Sequence, residues 1–164
     1  TASSPGPPME RPRAPRGWRS PAAEFSAITM DLLVEYGFDY SSNFFDDDEP
    51  YLLEIGGRRT DIVELPFRWV LDDAPFFHYA MSLPGRTMQA PSALLEAWTL
   101  EFDALRAEDR MMMIGMHPQI IGQPSRLWVL EQFLEHVAKA DTVWIGRCDE
   151  MTDDIRAGLK GATA

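Results

Sequence analysis

His117 follows the apolar run Met111-Met112-Met113-Ile114-Gly115-Met116 and precedes Pro118, which puts it where a strand stops and a loop begins. In α/β barrels and open α/β sheets, ligand sites gather at that edge because loops bring polar groups together over a rigid scaffold. A histidine there can exchange a proton near neutrality. A structural histidine bonding a loop carbonyl fits the same position equally well.

Three other places invite chemistry. Arg19, in Gly17-Trp18-Arg19-Ser20-Pro21, could grip a carboxylate with two parallel hydrogen bonds, although a surface arginine is the commoner outcome in a proline-rich segment. Trp69, in Glu64-Leu65-Pro66-Phe67-Arg68-Trp69, could wall a pocket for a sugar or another flat ligand, or simply pack. The acidic runs Asp46-Asp47-Asp48-Glu49 and Asp72-Asp73 offer the oxygens that hard cations take. The first lacks the ligand spacing of a calcium loop and reads as a solvated turn; the second, close behind Trp69, stays open. His78 and His136 form no recognisable ligand pair.

The elements that must position these residues follow from periodicity. A helix is expected from Ser26 as cap, with Ile28, Leu32 and Tyr36 on one face and Gly37 at its end. Tyr51 to Ile55 and Ile62 to Leu65 read as strands joined by Gly56-Gly57-Arg58-Arg59, where the glycines serve a turn and not a phosphate loop. Ser92 caps a second helix whose stripe is Leu95, Trp98, Phe102 and Leu105, ending near Glu108. Met111 to Met116 reads as a strand covered on both faces. A third helix starts near Pro124-Ser125 with Leu127, Leu130, Leu134 and Val137 as its stripe. The strand Thr142 to Ile145 and a last helix over Asp149 to Leu159 complete the order. Strand, helix, strand, helix implies the α/β class, with a parallel sheet in the second half.

Composition sets the outer limits. With 164 residues, 45% hydrophobic and 11% aromatic, the chain is large enough for one domain with a core. A net charge of −11 argues against nucleic acid and anionic membrane as partners, since phosphate binding needs clustered Lys and Arg. A small or neutral ligand fits better. The lone Cys148 excludes an internal disulfide and is compatible with a reducing, cytoplasmic setting. Residues 1–16, rich in Pro, Ser and Gly with Arg11, Arg13 and Arg16 among them, read as a disordered tail or cut edge, and 157–164 as a C-terminal tail.

Five linked phrases carry a resemblance: GWRSPA from Gly17, LLVEYGFDYSSNF from Leu32, DDDEPY from Asp46, ELPFRWVLDD from Glu64 and HPQIIGQPSR from His117. In order and spacing they are similar to the later motifs of the polysaccharide deacetylase (NodB-homology) family, in its cytoplasmic-type branch with peptidoglycan-deacetylase-like and allantoinase-like members. The resemblance implies the C-terminal part of a distorted (β/α) barrel over residues 17–156, acting on non-peptide carbon–nitrogen bonds with a divalent metal, usually zinc, as Lewis acid. It implies that Arg19 holds an aspartate base, that His117 protonates the departing amine, that Trp69 and Asp73 meet the substrate, and that Pro21 shapes the loop carrying Arg19. The family's aspartate-rich first motif and its histidine pair belong before Arg19 and are not in this chain. The expectation is therefore an incomplete site: no metal ligands and no tightly bound metal here, with a saccharide or small amide as substrate. The expected partners are the missing N-terminal portion of the same protein and a second copy of the chain. A non-catalytic binding or assembly module on the same scaffold is the alternative.

Overall fold

In a computed structural model, residues 14–78 and 87–161 are described, with side-chain environments to residue 158. Residues 1–13 and 162–164, which hold most of the first expected tail and the end of the second, lie outside the described residues.

The first half builds a small mixed sheet. Its strands are β1 (Gly17–Trp18), β2 (Tyr40–Ser41), β3 (Tyr51–Ile55) and β4 (Arg58–Glu64), in the spatial order β1-β2-β4-β3. β1, β2 and β4 run parallel, and β3 returns antiparallel against β4. The β3–β4 turn is the expected one: Gly56 and Gly57 have φ of +58° and +75°, the left-handed pair that a two-residue hairpin turn requires. Arg58 and Arg59, expected in the turn, already belong to β4.

The first helix, α1 (Thr29–Glu35), buries Met30 and Leu33 against Leu53 and Ile62 of the sheet. This corrects the expected face. Ile28 is 61% exposed and Tyr36 73%, because the segment is apolar in two registers and the sheet takes the other one. Ser26 does not cap α1 either; its backbone N–H donates to Thr29 Oγ1 at 3.0 Å.

The second half is helical. A 3₁₀ turn (Trp69–Leu71) leads into the single turn α2 (Ala74–Phe77), and α3 (Pro91–Ala107) follows with Pro91, not Ser92, at its start. After the apolar run come α4 (Pro118–Ile121), α5 (Pro124–Ala138) and α6 (Cys148–Gly161). α6 keeps residues 157–161 helical, within the stretch expected to be a tail. α3 and α5 form the main core: Trp98 and Phe133 meet edge to face at 5.4 Å, and Phe102 meets Phe133 at 6.1 Å. In α5 the buried stripe is Val129, Phe133 and Val137, while Leu127 and Leu134 of the expected stripe face outward.

The expected parallel sheet of the second half is not formed among the described residues. Met111 to Met116 makes one isolated parallel bridge, Asp72 with Gly115, and Met111 to Ile114 are half-buried and Met116 exposed rather than covered on both faces. Thr142 to Ile145 forms no strand, and Trp144 and Ile145 are exposed. An apolar run becomes a ladder strand only with a neighbour to pair, and the sheet of the first half ends at β1 and β3.

α6 is fastened to the sheet by charge. Arg16 Nε donates to Asp39 at 2.5 Å, and its other two guanidinium nitrogens donate to Asp153 of α6 at 3.0 and 2.6 Å. Arg156 of α6 donates to Asp39 at 2.7 Å and to the backbone carbonyls of Asp39 and Asp61. Arg16, at the end of the expected tail, is thus part of the folded unit.

Candidate active site

Because β1, β2 and β4 are parallel, the residues that follow them emerge at one edge. Arg19 follows β1, Ser42 and Asn43 follow β2, and Leu65 to Phe67 follow β4. The polypeptide then passes through Trp69 to Asp72, where the bridge to Gly115 is made by Gly115 N–H to the Leu71 carbonyl (2.9 Å) and Asp73 N–H to the Gly115 carbonyl (3.1 Å). That bridge sets His117, two residues later, beside Asp73.

The contact is two-pronged. Asp73 is fully buried; one carboxylate oxygen accepts the backbone N–H of His117 at 3.0 Å and the other lies 2.6 Å from His117 Nδ1. With a carboxylate on Nδ1, that nitrogen carries the proton and the opposite one, Nε2, is left to work. The ring is 41% exposed, so Nε2 can reach a ligand. Asp72, also buried, accepts the Ala74 N–H at 2.8 Å and comes within 3.8 Å of His117 Nδ1. Its second oxygen packs on Gly115 so closely that a Cβ there would run into it.

Asp72, Asp73 and His117 place one ligand atom each within 4.8 Å of one another, so by residue type and proximity they could hold a cation. As arranged they do not fit the metal that the resemblance implies. Two donors on one tetrahedral zinc stand about 3.4 Å apart, whereas Nδ1 and the Asp73 oxygen share a proton at 2.6 Å.

Arg19 points its guanidinium into the same edge. Nε donates to the Ser42 carbonyl at 3.0 Å, a terminal nitrogen donates to Ser42 Oγ at 2.5 Å, and the group lies 4.4 Å above the Phe67 ring. Burial lowers its pKa from the ordinary arginine value, against the pull of surrounding groups that include Asp72 and Glu64. Pro21 opens a short 3₁₀ turn behind it, in which Ala22 has φ of +53°. Trp69 stacks on Phe45 at 5.7 Å and meets Phe67 edge-on at 5.4 Å. Phe67 is buried while Trp69 and Phe45 are 42% and 44% exposed, so an aromatic face is open beside Arg19.

Asp73, expected to meet substrate, thus has both oxygens committed to His117. His78 closes the single turn α2, and His136 bonds Asp103 at 2.8 Å; neither is among the residues gathered with His117. The residues that sequence reasoning missed are Asp72 as neighbour of His117 and the buried polar set Ser20, Ser41, Ser42, Asn43 and Glu64. Their signal was a run of small polar residues, Ser41-Ser42-Asn43, between apolar neighbours. Cys148, half-buried, has its thiol pKa pushed up by burial. No helix among the described residues is long and apolar enough to cross a membrane.

No family model matches the sequence. A peptidoglycan deacetylase of Helicobacter pylori is 29% identical over 168 residues, covering 87% of this chain and 57% of the relative. Among solved structures, a Mycobacterium smegmatis protein described as a "putative polysaccharide deacetylase" superposes with a TM-score of 0.80 at 32% identity, over 88% of this chain and 50% of that one. The Puue allantoinase superposes with a TM-score of 0.73 at 26% identity, over 87% of this chain and 46% of that one. The chain spans about half the length of the relatives it matches. Over about 85% of its length this chain is homologous to proteins named peptidoglycan or polysaccharide deacetylases, and the match covers about half of each of them.

Proposed function

We propose that this chain is the C-terminal part of a metal-dependent hydrolase of non-peptide carbon–nitrogen bonds, which removes the acetyl group from an N-acetyl amino sugar or related amide. The observation that carries the reading is the Asp73–His117 pair at the end of an apolar segment, on the edge where Arg19 and Trp69 also emerge. Asp73 holds the proton on Nδ1, so a proton carried by Nε2 can pass to the nitrogen that departs from the acyl carbon. Asp73 is a positioning residue; His117 is the group that would touch the reacting atoms.

Arg19 is oriented by Ser42 and Phe67 and would hold a carboxylate base supplied from outside this chain. The face of Trp69 and Phe45 suits the apolar side of a sugar ring. The metal, zinc in this reading, would be held by residues that precede Arg19 in the intact protein. The same upstream portion would supply strand neighbours for Met111 to Ile114 and for Val143 to Ile145 and so complete the barrel.

The reading is tested with the intact, zinc-loaded protein and an N-acetylglucosamine tetramer as substrate. His117→Ala is expected to lower turnover by about 10²-fold or more while zinc binding stays intact. Unchanged turnover removes His117 from the mechanism. Binding of the tetramer with no turnover by the unsubstituted protein would favour a non-catalytic module instead.

A further inference from the structure

Glu64 ends β4 as a fully buried carboxyl group, a costly thing to keep in an apolar sheet unless it is used. Its Oε1 accepts two backbone N–H groups, from Asn43 at 2.6 Å and from Phe44 at 2.9 Å, the Ser41 hydroxyl lies close enough to lower its pKa, and its Oε2 has no well-formed hydrogen bond among the described residues. Both N–H groups lie in the turn directly after Ser42. That turn is held from its other side by Asn43, whose Oδ1 accepts the Ser20 N–H at 2.8 Å and whose amide nitrogen donates to the Trp18 carbonyl (3.2 Å) and to Ser41 Oγ (2.9 Å). Ser42 Oγ donates to the Leu65 carbonyl at 2.6 Å, which leaves its lone pairs for Arg19. The ends of three parallel strands are therefore tied together by side chains, and the free output of the network is the guanidinium of Arg19.

We propose that Glu64 is a positioning residue for Arg19: it fixes the turn at Asn43 and Phe44, and through that turn the Ser42 carbonyl and hydroxyl that aim the guanidinium. The assignment rests on the reading of Arg19 as part of the catalytic edge. Ser42 contacts Arg19 by both its backbone and its side chain, so a shift of the turn moves both hydrogen bonds at once. Removing the Glu64 acceptor leaves two buried N–H groups without partners, and such groups relax by moving the backbone. Burial pushes the Glu64 carboxyl above the ordinary range, against the donors that lower it. Glutamine keeps a carbonyl oxygen in the place of Oε1, so it can accept the same two N–H groups.

The test compares Glu64→Ala and Glu64→Gln in the intact zinc-loaded protein. Two readouts are hydrogen-exchange protection of the Arg19 Nε–H by NMR and hydrolysis of the N-acetylglucosamine tetramer. Glu64→Ala is expected to abolish the protection and to lower kcat about tenfold with little change in KM, and Glu64→Gln to restore both. In an Arg19→Ala background, Glu64→Ala is expected to add no further loss, because residues acting through one contact are not additive. Should Glu64→Ala fail to fold, Glu64→Met keeps the volume, removes the acceptor and carries the same test. Arg19 protection as strong as in the unsubstituted protein, or a fully additive loss in the Arg19→Ala background, overturns the proposal. If Arg19→Ala alone leaves turnover unchanged, the catalytic reading of Arg19 fails, and the protection experiment still decides whether Glu64 positions it.

Discussion

Asp73 reaches His117 twice, through the backbone N–H and through Nδ1, so one buried carboxylate fixes both where the histidine sits and which ring nitrogen is free. The pair spans 44 residues of sequence, and the link between the two segments is the single bridge at Gly115.

Asp73→Asn keeps the size of the side chain but replaces one acceptor oxygen with a donor. Either His117 loses a partner or its ring takes the other tautomer, with the proton on Nε2 fixed there rather than exchangeable through the pair. We expect kcat for amide hydrolysis by the intact protein to fall by about 10²-fold and KM to move little. A variant within threefold of the original kcat would show that orientation of His117 does not matter.

Gly115→Ala tests the bridge itself. The added Cβ would enter the space of the Asp72 carboxylate, and Asp72 cannot withdraw without giving up its hydrogen bond to the Ala74 N–H. Overpacking of this kind costs about 1–3 kcal/mol. Urea unfolding should show that loss, and turnover should fall with it because His117 is displaced. Equal stability of the two proteins would mean that Asp72 has room to move.

The α3–α5 contact should carry much of the stability. Trp98 is fully buried and meets Phe133 at 5.4 Å, so Trp98→Ala removes a large ring from a packed interface. The expected cost is about 3–5 kcal/mol, read as a lower urea midpoint. A loss below about 1 kcal/mol would show that the surrounding core collapses onto the space.

How much of this was legible beforehand depended on whether a signal was local. The long helices α3 and α5 were, and so was the Gly56-Gly57 turn, because period and turn chemistry lie within each segment. The place of His117 at the end of an apolar run was legible because a proline follows it, whereas its pairing with Asp73 was not. The buried faces of α1 and α5 were not: Ile28, Met30, Leu32, Leu33 and Val34 offer more than one stripe, and only the partner decides between them. β1 and β2 are two residues long and have no period to read. The Asp72–Asp73–His117 cluster and the Glu64 network join segments 20 to 45 positions apart, so their meaning appears only when those segments are brought together.

The charge lock beneath the sheet gives a pH signature. Burial by itself raises the Asp39 pKa, but the hydrogen bonds from Arg16 and Arg156 outweigh it and hold the carboxyl below the ordinary aspartate range. A carboxyl depressed in the folded state contributes stability that is complete above its unfolded value and is lost as pH falls through the folded one. The expected outcome is an acid limb of declining melting temperature below about pH 4, weakened in Asp39→Asn, which should also be less stable at neutral pH. An acid limb of the same depth in Asp39→Asn would place the titrating group elsewhere.

Zinc binding separates a proton-sharing pair from a metal site. Asp72, Asp73 and His117 are the only described residues that gather three such side chains closely, and the contact between Nδ1 and the Asp73 oxygen is already made. To ligate through the atoms now in contact, a zinc ion would have to break that hydrogen bond and open the Nδ1 and Asp73 donors to about 3.4 Å, beside an Asp72 carboxylate that holds the Ala74 N–H and packs on Gly115. Calorimetric titration of the 164-residue chain should accordingly show no tight one-to-one uptake. The intact protein should take up one ion, and His117→Ala should leave that uptake unchanged. Tight stoichiometric binding by the chain alone, abolished by Asp72→Asn, would make the cluster the metal centre and remove His117 as the acid.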